Sequence, residues 1–114
     1  MSATDPSSAR LFHIASPEVA ERLEANGVVE PPSLASEGFV HLSTVAQVVV
    51  STERHFAVDA ELCLVELDPE RLDDVRWPEV YPDEHFPHLH GPLRWADVIA
   101  VLPWGPDDRA AWPD

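Results

Sequence analysis

Proline placement limits this chain more than any other feature. Twelve prolines occur in 114 residues, and eight of them fall from Pro69 onward. Proline removes a backbone N–H and clashes with the preceding turn, so it is confined to helix starts, strand edges and turns. Pro78, Pro82, Pro87 and Pro92 therefore leave no room for a regular helix, and the connection through them is expected to be irregular. Short strands, Val75-Arg76-Trp77 and Val98 to Leu102, are expected on either side of it.

Helices belong to the first half. Leu11 to Ile14 reads as a strand, ended by Ser16-Pro17-Glu18, which supplies an N-cap, a proline at the first helical position and an acid in the first turn. The helix that follows places Val19, Ala20, Leu23 and Val28 on one side, and Asn26-Gly27 offers its left-handed stop. Pro31-Pro32-Ser33 is expected to run extended. Gly38 to Leu42 alternates as a second strand. Ser43-Thr44 caps a second helix expected to reach Phe56, although the run Val48-Val49-Val50 is β-branched and opposes helix. Glu61 to Leu67 is the clearest strand, stopped by Asp68-Pro69, and Pro69 to Leu72 reads as one helical turn. Early helices and several strands without strict βαβ alternation predict an α+β fold with two main helices. Its expected limits are a flexible leader over 1–9, a single domain over 10–104 and a tail over 105–114. Trp104 and Trp112 suit either a tail folded back on the domain or a partner contact.

Charge narrows the partners. All seven basic residues are arginines against 21 acids, for a net charge of -14. Nucleic-acid affinity rests on clustered Lys and Arg, and anionic membranes attract the same residues, so neither partner is expected. Protonating the six histidines offsets six of those fourteen charges and does not reverse the sign. With 45% hydrophobic residues the chain can fill a core. The N-terminus lacks a basic segment followed by an apolar one, no apolar run is long enough to span a bilayer, and Cys63 stands alone, so a soluble cytoplasmic protein is expected.

Several groupings carry chemistry. His85-x-x-His88-x-His90 beside Asp83-Glu84 has metal-ligand residue types, but Pro87 breaks any helical pairing, and structural loop histidines are the plainer reading. His41-x-Ser43-Thr44 joins an imidazole to two hydroxyls at a helix start, which suits an anion or amide, or simply an N-cap. His13 interrupts an apolar strand, so it either bonds to backbone or lines a cleft. Arg54-His55 ends the second helix, where both also complement the helix dipole. Cys63 alternates with Leu62 and Leu64 as a small buried hydrophobe. Glu66 and Asp68 share one side of a strand end. With four glycines and no Gly-x-Ser-x-Gly or phosphate loop, dinucleotide binding of the Rossmann kind is excluded.

Leu11-Phe12-His13-Ile14, Glu37-Gly38-Phe39-Val40-His41-Leu42-Ser43-Thr44 and Phe86-Pro87-His88-Leu89-His90-Gly91-Pro92-Leu93 together resemble the bacterial family labelled domain of unknown function 952. His90 stands where that family more typically has Tyr. The resemblance implies an ADP-ribosyltransferase-like fold: a compact split-sheet α+β domain with NAD in a cleft. Val40-His41-Leu42-Ser43, Arg54-His55 and Leu64-Val65-Glu66-Leu67-Asp68 are similar to stretches of NAD-dependent RNA 2′-phosphotransferases, with Phe56 replacing a glycine. By this resemblance His13 matches a residue that holds the nicotinamide ribose, and Ser43-Thr44 matches the wall of the nicotinamide pocket. Glu66, Glu79 and Glu84 are the candidates for the transferring carboxylate, with Glu66 placed first. The implied function is NAD or nucleotide binding, with NAD as substrate, ADP-ribosyl transfer by Glu66, and ligand contacts from His13, His41, Ser43, Thr44, Arg54 and His88, without metal. The alternatives are a non-catalytic small-ligand module on the same fold and a His-rich metal-binding protein. The acidity falls mainly over 53–84; Pro31 to Thr52 carries one charged residue, Glu37, and holds His41, Ser43 and Thr44.

Overall fold

The computed structural model of the protein describes residues 10–112. Strand β1 (Leu11–Ala15) pairs antiparallel with β4 (Leu62–Leu67), whose other edge carries β10 (Val98–Trp104). As the central strand, β4 is buried on both faces, which explains its nearly unbroken apolar run. Val65 and Leu67 enter one core with Leu11, Ala15 and Leu23, while Leu62 and Leu64 enter another with Phe12, Val48 and Trp104. Helix α1 (Pro17–Asn26) covers the first core through Ala20 and Leu23. Its limits follow the local chemistry: Ser16 Oγ accepts from the Val19 N–H at 3.3 Å, and Gly27 stops the helix at φ 82°.

A second sheet has the order β3 (Val40–His41), β8 (His88–Leu89), β5 (Val75–Arg76), all antiparallel. Cross-strand rows are Val40, Leu89, Val75 and His41, His88, Arg76. The first row packs in the core with Leu11 and Leu67, so alternation turns the second row to the other face. Two smaller pairs complete the sheets: β2 (Val28–Val29) with β9 (Leu93–Arg94), and β6 (Glu79–Tyr81) with β7 (Glu84–His85). A short 3-10 turn, Trp95–Asp97, leads into β10.

The two three-stranded ladders touch at one point. Phe12 N–H donates to Ser43 O at 2.9 Å, and Ser43 N–H donates to Phe12 O at 2.8 Å. One residue further on, the ring of His13 instead of its backbone reaches the carbonyl of His41. The sheet is therefore split immediately beyond this bridge.

Four expectations are corrected. Pro31-Pro32-Ser33 does not remain extended: Pro31 is the extended N-cap and Pro32 begins helix α2 (Pro32–Glu37), closed by Gly38 at φ 88°. A proline at the first helical position loses no helical bond, so the pair starts a helix as readily as it prevents one. The second main helix, α3 (Val48–His55), begins four residues after Thr44. Gln47 Oε1 accepts from Thr44 N–H at 3.1 Å and Gln47 Nε2 donates to His85 O at 2.7 Å, which holds residues 44–47 in a separate turn. Packing of Val48 in the core overrides the poor helix propensity of the valine run. The connection through residues 78–92 is not irregular throughout: its prolines lie between the short strands β6, β7 and β8, at the hairpin turn and the junctions. Val28, expected on the face of the first helix, lies past Gly27 in β2.

Beyond β10, helix α4 (Pro106–Ala110) and Trp112 fold back on the domain. Arg109 donates to the carbonyls of Val58 at 2.7 Å, Trp104 at 2.9 Å and Ala60 at 3.2 Å. Trp112 Nε1 donates to Val45 O at 3.0 Å, and its ring meets Phe12 and Trp104 edge-on at 5.5 and 4.9 Å. The expected leader over residues 1–9 lies outside the described residues. No helix among the described residues is long and apolar enough to cross a membrane.

Candidate functional site

The split in the sheet opens into a cleft of about 350 Å³. Its floor is apolar, from Ile14, Leu42 and Phe86. One wall is polar, with His13, Ser43, Ser51 and His88, and α3 contributes Arg54 and His55 at the mouth. Phe56 and Val80 line the same mouth although both are exposed, and Tyr81 of the β6–β7 hairpin closes the far side.

Each polar side chain has a local reason for its place. His13 Nδ1 donates to His41 O at 2.9 Å, which fixes the ring at the split. The Ser43 and Ser51 hydroxyls meet at 2.9 Å, joining the bridge residue to α3. His88 is buried and stacks on Phe39, with ring centroids 3.8 Å apart and planes 12° apart. His41 packs edge-on against both rings, and its Nε2 donates to Glu37 Oε2 at 3.2 Å. Arg54 stacks over Tyr81, 4.0 Å from its centroid, and pairs with Glu84 at 3.5 Å, so α3 and Gln47 together anchor the hairpin over the cleft.

Burial, ahead of all other influences, pushes both His13 and His88 below the ordinary value of 6.5. For His13 the His41 carbonyl opposes that shift and the His41 ring adds to it; for His88 the His41 and His90 rings add and Glu37 opposes. Both rings are thus held neutral in the fold. The unfolded chain binds these protons more readily, so their contribution to stability is complete above pH 6.5 and is lost as pH falls through the lowered folded values. Thermal unfolding at pH 7.5 and 5.5 is expected to give the lower Tm at 5.5, and His13→Gln with His88→Gln flattens that difference. A Tm that rises toward pH 5.5 contradicts this reading.

Of the candidates named from sequence, His13, His41, Ser43, Arg54 and His88 line this one cleft. Thr44 does not line it; its N–H and carbonyl are engaged in the turn that precedes α3. Glu66 does not line it either. Its carboxylate accepts from Arg10 Nε at 3.0 Å and Nη2 at 3.1 Å, on a buried segment of β4. Glu79 accepts from the Asp83 N–H within the hairpin, and Glu84 is engaged by Arg54. Ser51 was missed: its signal was a hydroxyl pair, Ser51-Thr52, in an otherwise valine-rich helix start. Of the three clustered histidines, His85 Nδ1 donates to Trp77 O, while His88 stacks on Phe39 and His90 lies tilted against the same ring at 5.6 Å. Among the described residues no three His, Cys, Asp or Glu side chains are placed to hold a metal ion.

Comparison with solved structures finds the same fold in protein CC0527 from Caulobacter crescentus. Its crystal structure aligns with a TM-score of 0.74 at 26% identity, over 89% of this chain and 98% of that one. Its solution NMR structure aligns with a TM-score of 0.67 at 28% identity, over 81% of each chain. No curated protein matches the chain. The model of one family, described as proteins of unknown function and designated DUF952, matches residues 14–101, and the chain belongs to that family.

Proposed function

We propose that the cleft binds NAD or a related nucleotide and holds it without transferring its ADP-ribosyl group. The observation that carries this reading is the lining itself: imidazoles, hydroxyls and one guanidinium face the cleft, and no carboxylate does among the described residues. Loss of nicotinamide leaves a positively charged, oxocarbenium-like ribose, which a carboxylate near the reacting carbon stabilises. The candidate acids are engaged elsewhere, Glu66 by Arg10, Glu79 by the Asp83 N–H and Glu84 by Arg54. An ADP-ribosyltransferase-like fold is supported by the single bridge between the two ladders, since a split sheet with a ligand cleft is what that resemblance implies.

The size of the cleft agrees with binding. About 350 Å³ is at the small end of ligand pockets, enough for one nucleoside half, with the remainder passing over Phe56 and Val80 at the mouth. Burying those exposed apolar side chains adds to affinity. Arg54 is the cation available to a phosphate at that mouth.

Millimolar NAD is expected to raise the Tm by a few degrees, as any ligand of the folded state must at concentrations above its Kd. The same incubation is expected to release no nicotinamide. Release of nicotinamide would restore the transferase reading. An unchanged Tm would overturn the nucleotide reading.

A further inference from the structure

Strand β3 is a two-residue edge of the second sheet, and helix α2 before it buries no residue of its own. The segment from Pro32 to His41 is therefore lightly held, and such segments open first in a folded protein. Val40 is its one buried side chain, and Leu34 reaches the core only in part. On the other face of β3 the anchor is aromatic. Phe39 stacks on His88 of β8 with ring centroids 3.8 Å apart, and His90 lies against the same phenyl ring at 5.6 Å. His41 stands edge-on to His88 at 5.4 Å and is its cross-strand partner. These ring contacts tie the segment to β8 outside their short ladder.

We propose that the Phe39–His88 stack, with His41 edge-on to both rings, is an acid-sensitive latch. In its neutral state it holds α2 and β3 against β8; protonated, it frees the α2–β3 segment and loosens the cleft wall that His41 and His88 form. Protonating His88 places a cation in a buried position near the His41 and His90 rings, and like charges opposite one another weaken a strand pair. The attraction of an imidazolium for the Phe39 face offsets part of that cost. Burial is the largest influence on His88 and favours the neutral ring.

The charges around the latch do not hold it shut in acid. Glu37 pairs with His41 at 3.2 Å, but both belong to the segment that leaves. Asp74, the acid beside His90, accepts two bonds of 3.0 and 2.9 Å from Arg76, which stands across from His88 on β5. His13 of β1 donates to the His41 carbonyl through Nδ1, which carries a proton in both the neutral and the charged ring, so acid leaves that bond unchanged. Across the cleft stand Arg54 and His55 of α3 and Tyr81 of the hairpin, with Arg54 paired to Glu84.

Native-state hydrogen exchange of the protein alone tests the latch, so its failure leaves the nucleotide reading standing. The reporters are the Gly38 N–H, which donates to Leu34 O at 3.0 Å, and the Leu42 N–H, which donates to Pro87 O at 3.0 Å. Their exchange, corrected for intrinsic rate, is expected to ignore low urea, as local opening does, while β4 amides respond to it. Between pH 7.5 and 5.5 their opening is expected to rise about five-fold. One imidazole that regains its ordinary value of 6.5 on release sets a ceiling of about ten-fold. His88→Phe keeps a stacking ring without a titrating nitrogen and abolishes the rise. Phe39→Leu breaks the stack and opens the segment about five-fold more at pH 7.5, the scale of one aromatic pair. Urea midpoints establish that each variant folds, and if His88→Phe does not, Phe39→Leu carries the test. Opening indifferent to pH, slower in acid, unchanged by Phe39→Leu, equally acid-sensitive in His88→Phe, or dependent on urea as β4 is, overturns the proposal.

Discussion

Trp104→Ala lowers the unfolding free energy by about 3–5 kcal/mol, the range for removing a large aromatic from a packed core. In a domain of this size that is a fall in Tm of roughly 10–20 °C. Trp104 is 1% exposed and lies between Phe12, Leu62 and Leu64 of the sheet and Val48 of α3. Its Nε1 donates to Thr52 Oγ1 at 2.8 Å, so the indole also joins β10 to α3. Trp112 packs edge-on against it, which couples the tail to the same core. Trp104→Phe retains much of the buried area and loses the indole donor, and its cost is expected nearer about 1–2 kcal/mol. Urea unfolding of the three proteins gives the order directly; equal midpoints for wild type and Trp104→Ala would refute the core assignment.

Arg54→Ala has the opposite profile: a large loss of nucleotide affinity with little loss of stability. Arg54 and Glu84 form a part-exposed pair, with Glu84 45% exposed, and pairs of that kind contribute about 0–1 kcal/mol. The stack on Tyr81 adds a similarly small amount. The ligand loses more. Removing the guanidinium deletes the cation at the mouth and leaves the Glu84 carboxylate facing a phosphate. NAD affinity is expected to fall at least about ten-fold, the scale of one charge-assisted contact. Glu84→Gln acts in the other direction, freeing Arg54, and is expected to tighten NAD two- to three-fold, a small electrostatic gain at an exposed site. Calorimetric titration of both variants checks this, and unchanged affinity in Arg54→Ala would remove Arg54 from the site.

Local chemistry made part of this fold legible. Ser16-Pro17 and Asn26-Gly27 bounded α1, and the apolar run of β4 identified the central strand. What escaped depended on distant contacts. Pro31-Pro32 is compatible with both an extended link and a helix start, and only Gly38 and the neighbouring strand decide between them. The late start of α3 depends on Gln47 reaching His85, 38 residues away. The hairpin over residues 79–85 was hidden because its strands are too short for alternation to register.

The site shows the same division. His13, His41, Ser43, Arg54 and His88 were singled out as polar residues interrupting apolar or uncharged segments, and the fold brings them to one cleft. Glu66 was chosen on a likeness of short motifs, and its partner Arg10 is 56 residues away, so local pattern carried no sign of the pair. Ser51 lines the cleft and meets Ser43, although the helical face counted from sequence runs through Val48 and Thr52 instead.

The central claim is that the cleft at the split sheet holds a nucleotide without turning it over. A single NMR titration with NAD tests both halves: amide shifts report where the ligand sits, and the ligand's own proton signals report any free nicotinamide. The account predicts saturable shifts confined to the backbone around His13, Ser43, Ser51, Arg54 and His88, with NAD intact after the titration. Shifts elsewhere, no shifts, or accumulating nicotinamide would contradict it.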